Sequence, residues 1–199
     1  MDPAKVAHEW TRRLQQEETV VDHLDIHASG ALYRVFLLAS TLQVDLSFWP
    51  HGSFVTGGAP VHLLFGQAED LEPPAAGEDL VNHVQMGWLY ALHVRSALAR
   101  GRSWQAVWML EGIRNRLIFL YCQRHGLDTH EGRGVDALPG PVRAELATTL
   151  TATIDHADLC HTFRVLVTLL LAETDRQALP VPTGLPQTFA ELVDSAERH

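Results

Sequence analysis

The hydrophobic pattern of this chain changes period once, across residues 67–78, and that change limits what it can fold into. Ahead of the change, residues 42–48 alternate: Val44, Leu46 and Phe48 point one way, and Gln43, Asp45 and Ser47 the other. Beyond it, apolar residues recur three and four apart, the spacing of a buried helix face. The segment between holds Glu69, Asp70, Glu72, Pro73, Pro74 and Gly77, an acidic, turn-rich stretch that neither a strand nor a helix propagates through. The expected organisation is therefore a sheet-bearing subdomain over 1–68, a linker over 69–78 and a helical bundle over 79–199. With 199 residues the chain can bury a core without covalent staples.

The local signals fill in an α+β architecture. Residues 4–16 read as a helix with an apolar stripe of Val6, Trp10 and Leu14. Residues 20–26, 32–38, 42–48 and 61–65 read as strands of a small mixed sheet, and short links predict an antiparallel meander with one face covered. Trp49-Pro50-His51-Gly52 ends the third strand, since proline cannot continue a central one. In the second half, Asp79 caps a helix to about residue 100, and Gly101 stops it. Ser103 caps a second, to about 125, and Gly126 stops that. Pro141 opens a third helix, to about 153, and Asp155 with Asp158 resembles a capping arrangement for a fourth, to about 176. A short helix from Thr188 closes the chain. The aromatic set Trp88, Tyr90, Trp104, Trp108, Phe119 and Tyr121 is assigned to the bundle core.

Composition narrows the function. A formal net charge of -9 does not suit a nucleic-acid-binding protein, because a phosphate backbone needs a basic face. Two cysteines, both in apolar surroundings, suit a reducing compartment, and no apolar run reaches membrane-spanning length, so a cytoplasmic protein is expected. There is no Gly-x-Ser-x-Gly elbow, no Gly-Lys-Ser/Thr loop and no Cys-x-x-Cys pair.

Five groups of residues are of a type that carries chemistry. Asp45 lies mid-strand, where a sheet fixes its oxygens as a metal ligand; a solvated strand face is the plainer account. His23, Asp25 and His27, beside Asp22, alternate onto one strand face, in metal-ligand or simple polar array. His156 and Cys160, with Asp158 and His161 nearby, stand at i and i+4 on a helix, and a core thiol is the plainer reading there. In Thr129-His130-Glu131-Gly132-Arg133-Gly134-Val135-Asp136, glycines flank an arginine that can fork onto a phosphate or carboxylate, if the loop is more than a surface turn. Glu111 and Arg114, at i and i+3, either pair with each other or face a cleft, where Glu111 would serve as a general base for a hydroxyl.

Several stretches together carry a family resemblance. They are Ala31-Leu32-Tyr33-Arg34-Val35-Phe36-Leu37-Leu38, Leu42-Gln43-Val44-Asp45-Leu46-Ser47-Phe48, Leu63-Leu64-Phe65-Gly66, Gly101-Arg102-Ser103-Trp104-Gln105-Ala106, Arg124-His125-Gly126 and Gly132-Arg133-Gly134-Val135-Asp136-Ala137-Leu138-Pro139. With them the chain resembles the nucleotidyltransferase superfamily that includes DNA polymerase β and the aminoglycoside nucleotidyltransferases. The resemblance implies transfer of a nucleoside monophosphate from a nucleoside triphosphate to a hydroxyl of a small acceptor, with three carboxylates holding two magnesium ions. Asp45 matches the third carboxylate in position and context. Arg133 and Arg114 are then candidate contacts to the nucleotide, and Glu111 the candidate base. The Asp-x-Asp pair that should precede Asp45 is absent from the sequence, and the only Gly-Ser pair, Gly52-Ser53, follows Asp45. Three expectations follow: a truncated catalytic domain, a remnant that binds a nucleotide or a partner without turnover, or a second chain that supplies what is missing. A noncatalytic interaction module, pairing through its bundle or a bare sheet edge, is the reading from another class.

Overall fold

The computed structural model describes residues 3–28, 30–54, 62–64 and 79–198. The chain divides into two compact units, Met1–Ala76 and Gly77–His199.

In the first unit, helix α1 (Pro3–Glu17) precedes strands β1 (Val20–Ala28), β2 (Ala31–Leu38) and β3 (Gln43–Phe48). The described strands form one sheet in the order β1-β2-β3, with both pairings antiparallel, the meander that the short links predict. The middle of the fourth expected strand, 62–64, is not extended into a ladder; its ends and the 67–78 segment lie outside the described residues. Ala28 pairs with Ala31, and Gly30 takes φ 78°, a left-handed conformation that glycine reaches without a Cβ clash.

Helix α1 lies on the sheet face of Phe36, Leu32 and Arg34. Thr11 donates to the Ala7 carbonyl at 2.8 Å and accepts from Arg34 Nη1 at 2.7 Å. The residues of α1 that become buried are Ala7 and Thr11. Trp10, expected in the stripe, stays 43% exposed, with the Arg13 guanidinium 5.7 Å from its ring centroid. Small side chains let helix and sheet approach, so the indole moves to the rim.

Arg34 forks onto its cross-strand partner Asp25, Nε to Oδ1 at 2.6 Å and Nη2 to Oδ2 at 2.5 Å. These bonds hold the Asp25 carboxyl below its usual value, outweighing the opposing effect of burial. A depressed carboxylate contributes stability at pH above its unfolded pKa, and that contribution is lost as pH falls through the folded pKa. Replacing Arg34 by glutamine is expected to return the Asp25 titration, followed by NMR of its carboxyl carbon, towards 3.8. An unchanged titration would refute the pairing.

The second unit holds α2 (Leu80–Leu98), α3 (Ser103–Arg124), α4 (Gly140–Ala147), α5 (His156–Arg176) and α6 (Leu185–Glu197), with single 3₁₀ turns at His130–Gly132 and Val135–Ala137. Asp79 caps α2 as expected, its side chain accepting from the Asn82 N–H at 3.2 Å. Gly101 and Gly126 both take left-handed φ, 64° and 65°, just past the ends of α2 and α3. Four boundaries differ from the sequence reading. Ser103 is already helical and Arg102 is the cap residue. Helix α4 stops at Ala147, well short of 153, where Thr148 and Thr149 turn their hydroxyls onto the carbonyls of Glu145 and Leu146. Asp155 makes no side-chain cap bond; Thr153 instead accepts from the Asp155 N–H and donates to Asp158. Helix α6 begins at Leu185, because Pro186 fits a first turn, where its missing N–H costs nothing.

The core of this unit is one cluster drawn from α2, α3, α5 and α6, with Leu110, Ile113, Leu117, Phe163, Leu170 and Phe189 each at most 1% exposed. Two glycines set how closely α2 packs. A Cβ at Gly87 would lie 2.5 Å from Leu170 Cδ2, and one at Gly112 would lie 2.8 Å from the Tyr90 ring. Of the aromatic set, Phe119 and Tyr121 are buried and Tyr90 is half-buried. Trp104 and Trp108 are 74% and 76% exposed, on the side of α3 away from its buried stripe.

Candidate functional site

Asp45 stands on the sheet face opposite α1. It pairs in register with Val35, whose other neighbour is Leu24. Its carboxylate is exposed and accepts both bonds of the Gln43 amide, at 2.9 and 3.0 Å. The alternation of β3 is what turns it outward. Tyr33 and Ser47 share this face, and Trp49 donates to the Ser47 hydroxyl at 3.1 Å while lying edge-on to Tyr33.

The magnesium pair implied by the resemblance can be tested against these residues. Magnesium demands near-octahedral oxygen ligation, supplied in protein sites by more than one carboxylate or by carboxylate and phosphate together. Among the described residues no group of three or more His, Cys, Asp or Glu is placed to hold a metal ion. The described residues do not fit a two-metal centre.

The other sequence candidates are placed as follows. Asp25 is taken by Arg34, and the His23 ring lies 5.9 Å from that of Phe36. His156 Nε2 is 3.3 Å from Cys160 Sγ and 3.1 Å from the Ala196 carbonyl oxygen. A carbonyl only accepts, so Nε2 carries the proton and has no lone pair for a metal. Cys160 is a core thiol, as is Cys122, and burial pushes both thiols above the usual range.

Glu111 and Arg114 do pair. Arg114 also donates from Nε to the Thr149 hydroxyl at 3.0 Å and from Nη2 to the Thr149 carbonyl at 2.6 Å. Its buried guanidinium thus ties α3 to the end of α4, while the Glu111 side chain remains 51% exposed. In the glycine loop, Arg133 is exposed and pairs with Glu131 at 3.1 Å. Gly134 is buried, and a Cβ there would lie 2.9 Å from that of Leu127, so this glycine serves the packing of the loop on itself.

Two charged residues of consequence escape the sequence reading. Glu173 is wholly buried and accepts from Arg124 Nε at 2.6 Å and Gln177 Nε2 at 2.8 Å. Its signal is present: it continues the stripe Leu159, Phe163, Leu166, Leu170, where an apolar residue is expected. Arg116, on α3, lines a cavity of about 590 Å³ with residues of the 129–132 loop. Nothing in the sequence separates it from the other arginines. A second, larger cavity of about 770 Å³, between α2, α6 and the 180–184 segment, is walled chiefly by Val81, Trp88, Leu92, Pro182, Leu185 and Phe189.

No protein-family model matches this chain, and no curated protein sequence matches it. Among solved structures, it is similar to the crystal structure of an aminoglycoside 6-adenyltransferase from Bacillus subtilis, at 10% sequence identity and a TM-score of 0.47, over 96% of this chain and 85% of that one.

Proposed function

We propose that the chain is a nucleotidyltransferase-like protein that engages a nucleoside triphosphate without completing, through its described residues alone, the transfer of a nucleoside monophosphate to a small hydroxylated acceptor. The observation that carries this reading is Asp45: a strand-held, solvent-facing carboxylate in the sequence context of the family's third metal ligand, belonging to no described group of three or more metal-ligating side chains. One carboxylate can contribute to a magnesium ion that the triphosphate itself largely ligates, but it cannot clamp two. Within the second unit, Arg133 is a candidate contact to a phosphate group and Glu111, held by Arg114, a candidate base; Asp45 belongs to the first unit, and its test stands without them.

Calorimetry with a nonhydrolysable triphosphate tests it. Binding is expected in the presence of magnesium and is expected to be lost in Asp45→Asn, whose exposed amide keeps the shape of the side chain but not its charge. Binding that survives the substitution removes Asp45 from the reading, and no heat at about 1 mM nucleotide removes the reading itself.

A specific observation favours the interaction-module alternative. The outer edge of β1, nine residues long, pairs with no described strand, and Val21 and Leu24 along it are each 61% exposed. Light scattering decides here: a dimer that Leu24→Lys disperses supports pairing through this sheet, and a monomer at all concentrations refutes pairing between copies.

A further inference from the structure

The cavity beside the 129–132 loop opens to solvent and sets polar side chains around an apolar base. Its walls include the side chains of His83, Asn115, Arg116, Thr129 and His130, over an apolar floor of Ile118 and Phe119. The His83 ring stacks on Phe119 with centroids 3.5 Å apart and planes 13° from parallel, so this floor is rigid and flat.

Arg116 is the unusual member. Its Nε is buried, and among the described residues it has no hydrogen-bond partner and the guanidinium makes no ion pair. Two other guanidiniums that are largely buried behave otherwise: Arg34 forks onto Asp25, and Arg114 bonds Glu111 and Thr149. A buried N–H of a charged group left without an acceptor is costly, and such groups in native proteins are almost always satisfied. Among the described residues of the cavity wall the one carboxylate, that of Glu131, turns to Arg133 instead. Asp128, next to the loop, is occupied by the His130 N–H and ring. The guanidinium therefore faces a space of about 590 Å³, within the range of small-molecule sites, and none of the acceptors lining it, the Glu131 carboxylate among them, reaches its Nε.

We propose that this cavity binds a small organic oxyanion, a phosphate or carboxylate carried on an apolar body. Arg116 supplies the guanidinium fork, with Thr129 and Asn115 as neutral donors, and the Phe119 and Ile118 surface holds the body. The bidentate fit of guanidinium to either oxyanion gives the site its charge requirement, and the stacked floor gives it a preference for a flat group. The site does not rest on Asp45, which lies in the other unit of the chain; its 129–132 loop adjoins Arg133, but the site uses Arg116 in place of that residue.

Calorimetry of the full chain with phenyl phosphate, benzoate and inorganic phosphate tests the proposal. Phenyl phosphate or benzoate is expected to bind more tightly than inorganic phosphate; which of the two binds better tells a phosphate from a carboxylate ligand. Arg116→Gln is expected to weaken that binding by about tenfold or more. Arg143→Gln, an exposed arginine outside the cavity, leaves it within about twofold. Should Arg116→Gln fail to fold, labelling of the unaltered chain with phenylglyoxal, mapped by mass spectrometry, reads the same contact: phenyl phosphate or benzoate slows modification of Arg116 about fivefold and leaves Arg143 unaffected. No binding of either aryl anion at about 10 mM, equal binding by the folded Arg116→Gln chain, or unprotected labelling of Arg116 would each overturn it.

Discussion

Phe163→Ala is expected to lower the unfolding free energy by about 4 kcal/mol, read from guanidinium chloride melts followed by far-UV circular dichroism. Phe163 is 0% exposed and stands mid-helix on the stripe by which α5 joins the core cluster. Truncation removes the transfer energy of a benzyl group. It also leaves a cavity that the neighbouring helices cannot close, because α2 is already held against α5 where Gly87 meets Leu170. A typical domain of this size is stable by about 5–15 kcal/mol, so the loss is a large fraction of the total. Phe163→Leu, which keeps most of the volume, is expected to cost only about 1 kcal/mol. Similar costs for the two variants would show that this site collapses freely and that the core is not tightly packed.

Arg124→Met is expected to cost about 3 kcal/mol by the same melts, for a different reason. Glu173 is fully buried on α5, and Arg124, from the end of α3, supplies its shortest bond. Gln177 and Arg176 also reach Glu173, and Gln177 bridges on to the Leu120 carbonyl at 2.9 Å. Removing Arg124 leaves a buried carboxylate with weaker compensation, and that penalty, more than the lost bond itself, sets the size of the effect. The double variant Arg124→Met with Glu173→Leu is therefore expected to recover most of the loss, a coupling that the double-mutant cycle measures directly. A double variant as unstable as the sum of its parts would mean that the pair acts through packing and not through charge.

Residues whose environment follows from their immediate neighbours were legible in the sequence. The alternation of Gln43, Asp45 and Ser47 against Val44, Leu46 and Phe48 placed Asp45 on the outer sheet face, because side-chain direction in a strand depends only on parity. Asp79, Gly101 and Gly126 marked helix ends through backbone chemistry that acts over three or four residues. Trp10, Trp104 and Trp108 misled, because hydrophobicity at helical spacing does not say which of two possible faces a neighbouring element will take. In α1 the face taken is that of Ala7 and Thr11, where small side chains allow close approach.

The sequence alone determined the α+β class, the three paired strands and the main helices, the direction Asp45 faces and the absence of an Asp-x-Asp pair, since all of these depend on contiguous or periodic residues. Only the tertiary structure decided who holds whom: that Arg114 is spent on Thr149, 35 residues away, that Glu173 is answered by Arg124 across 49, and that Arg116 is left facing an open cavity. A charged side chain in the sequence carries its need for a partner but not the partner's address. That address is set by how closely the helices pack, and in this bundle two glycines and a shared apolar core set that distance.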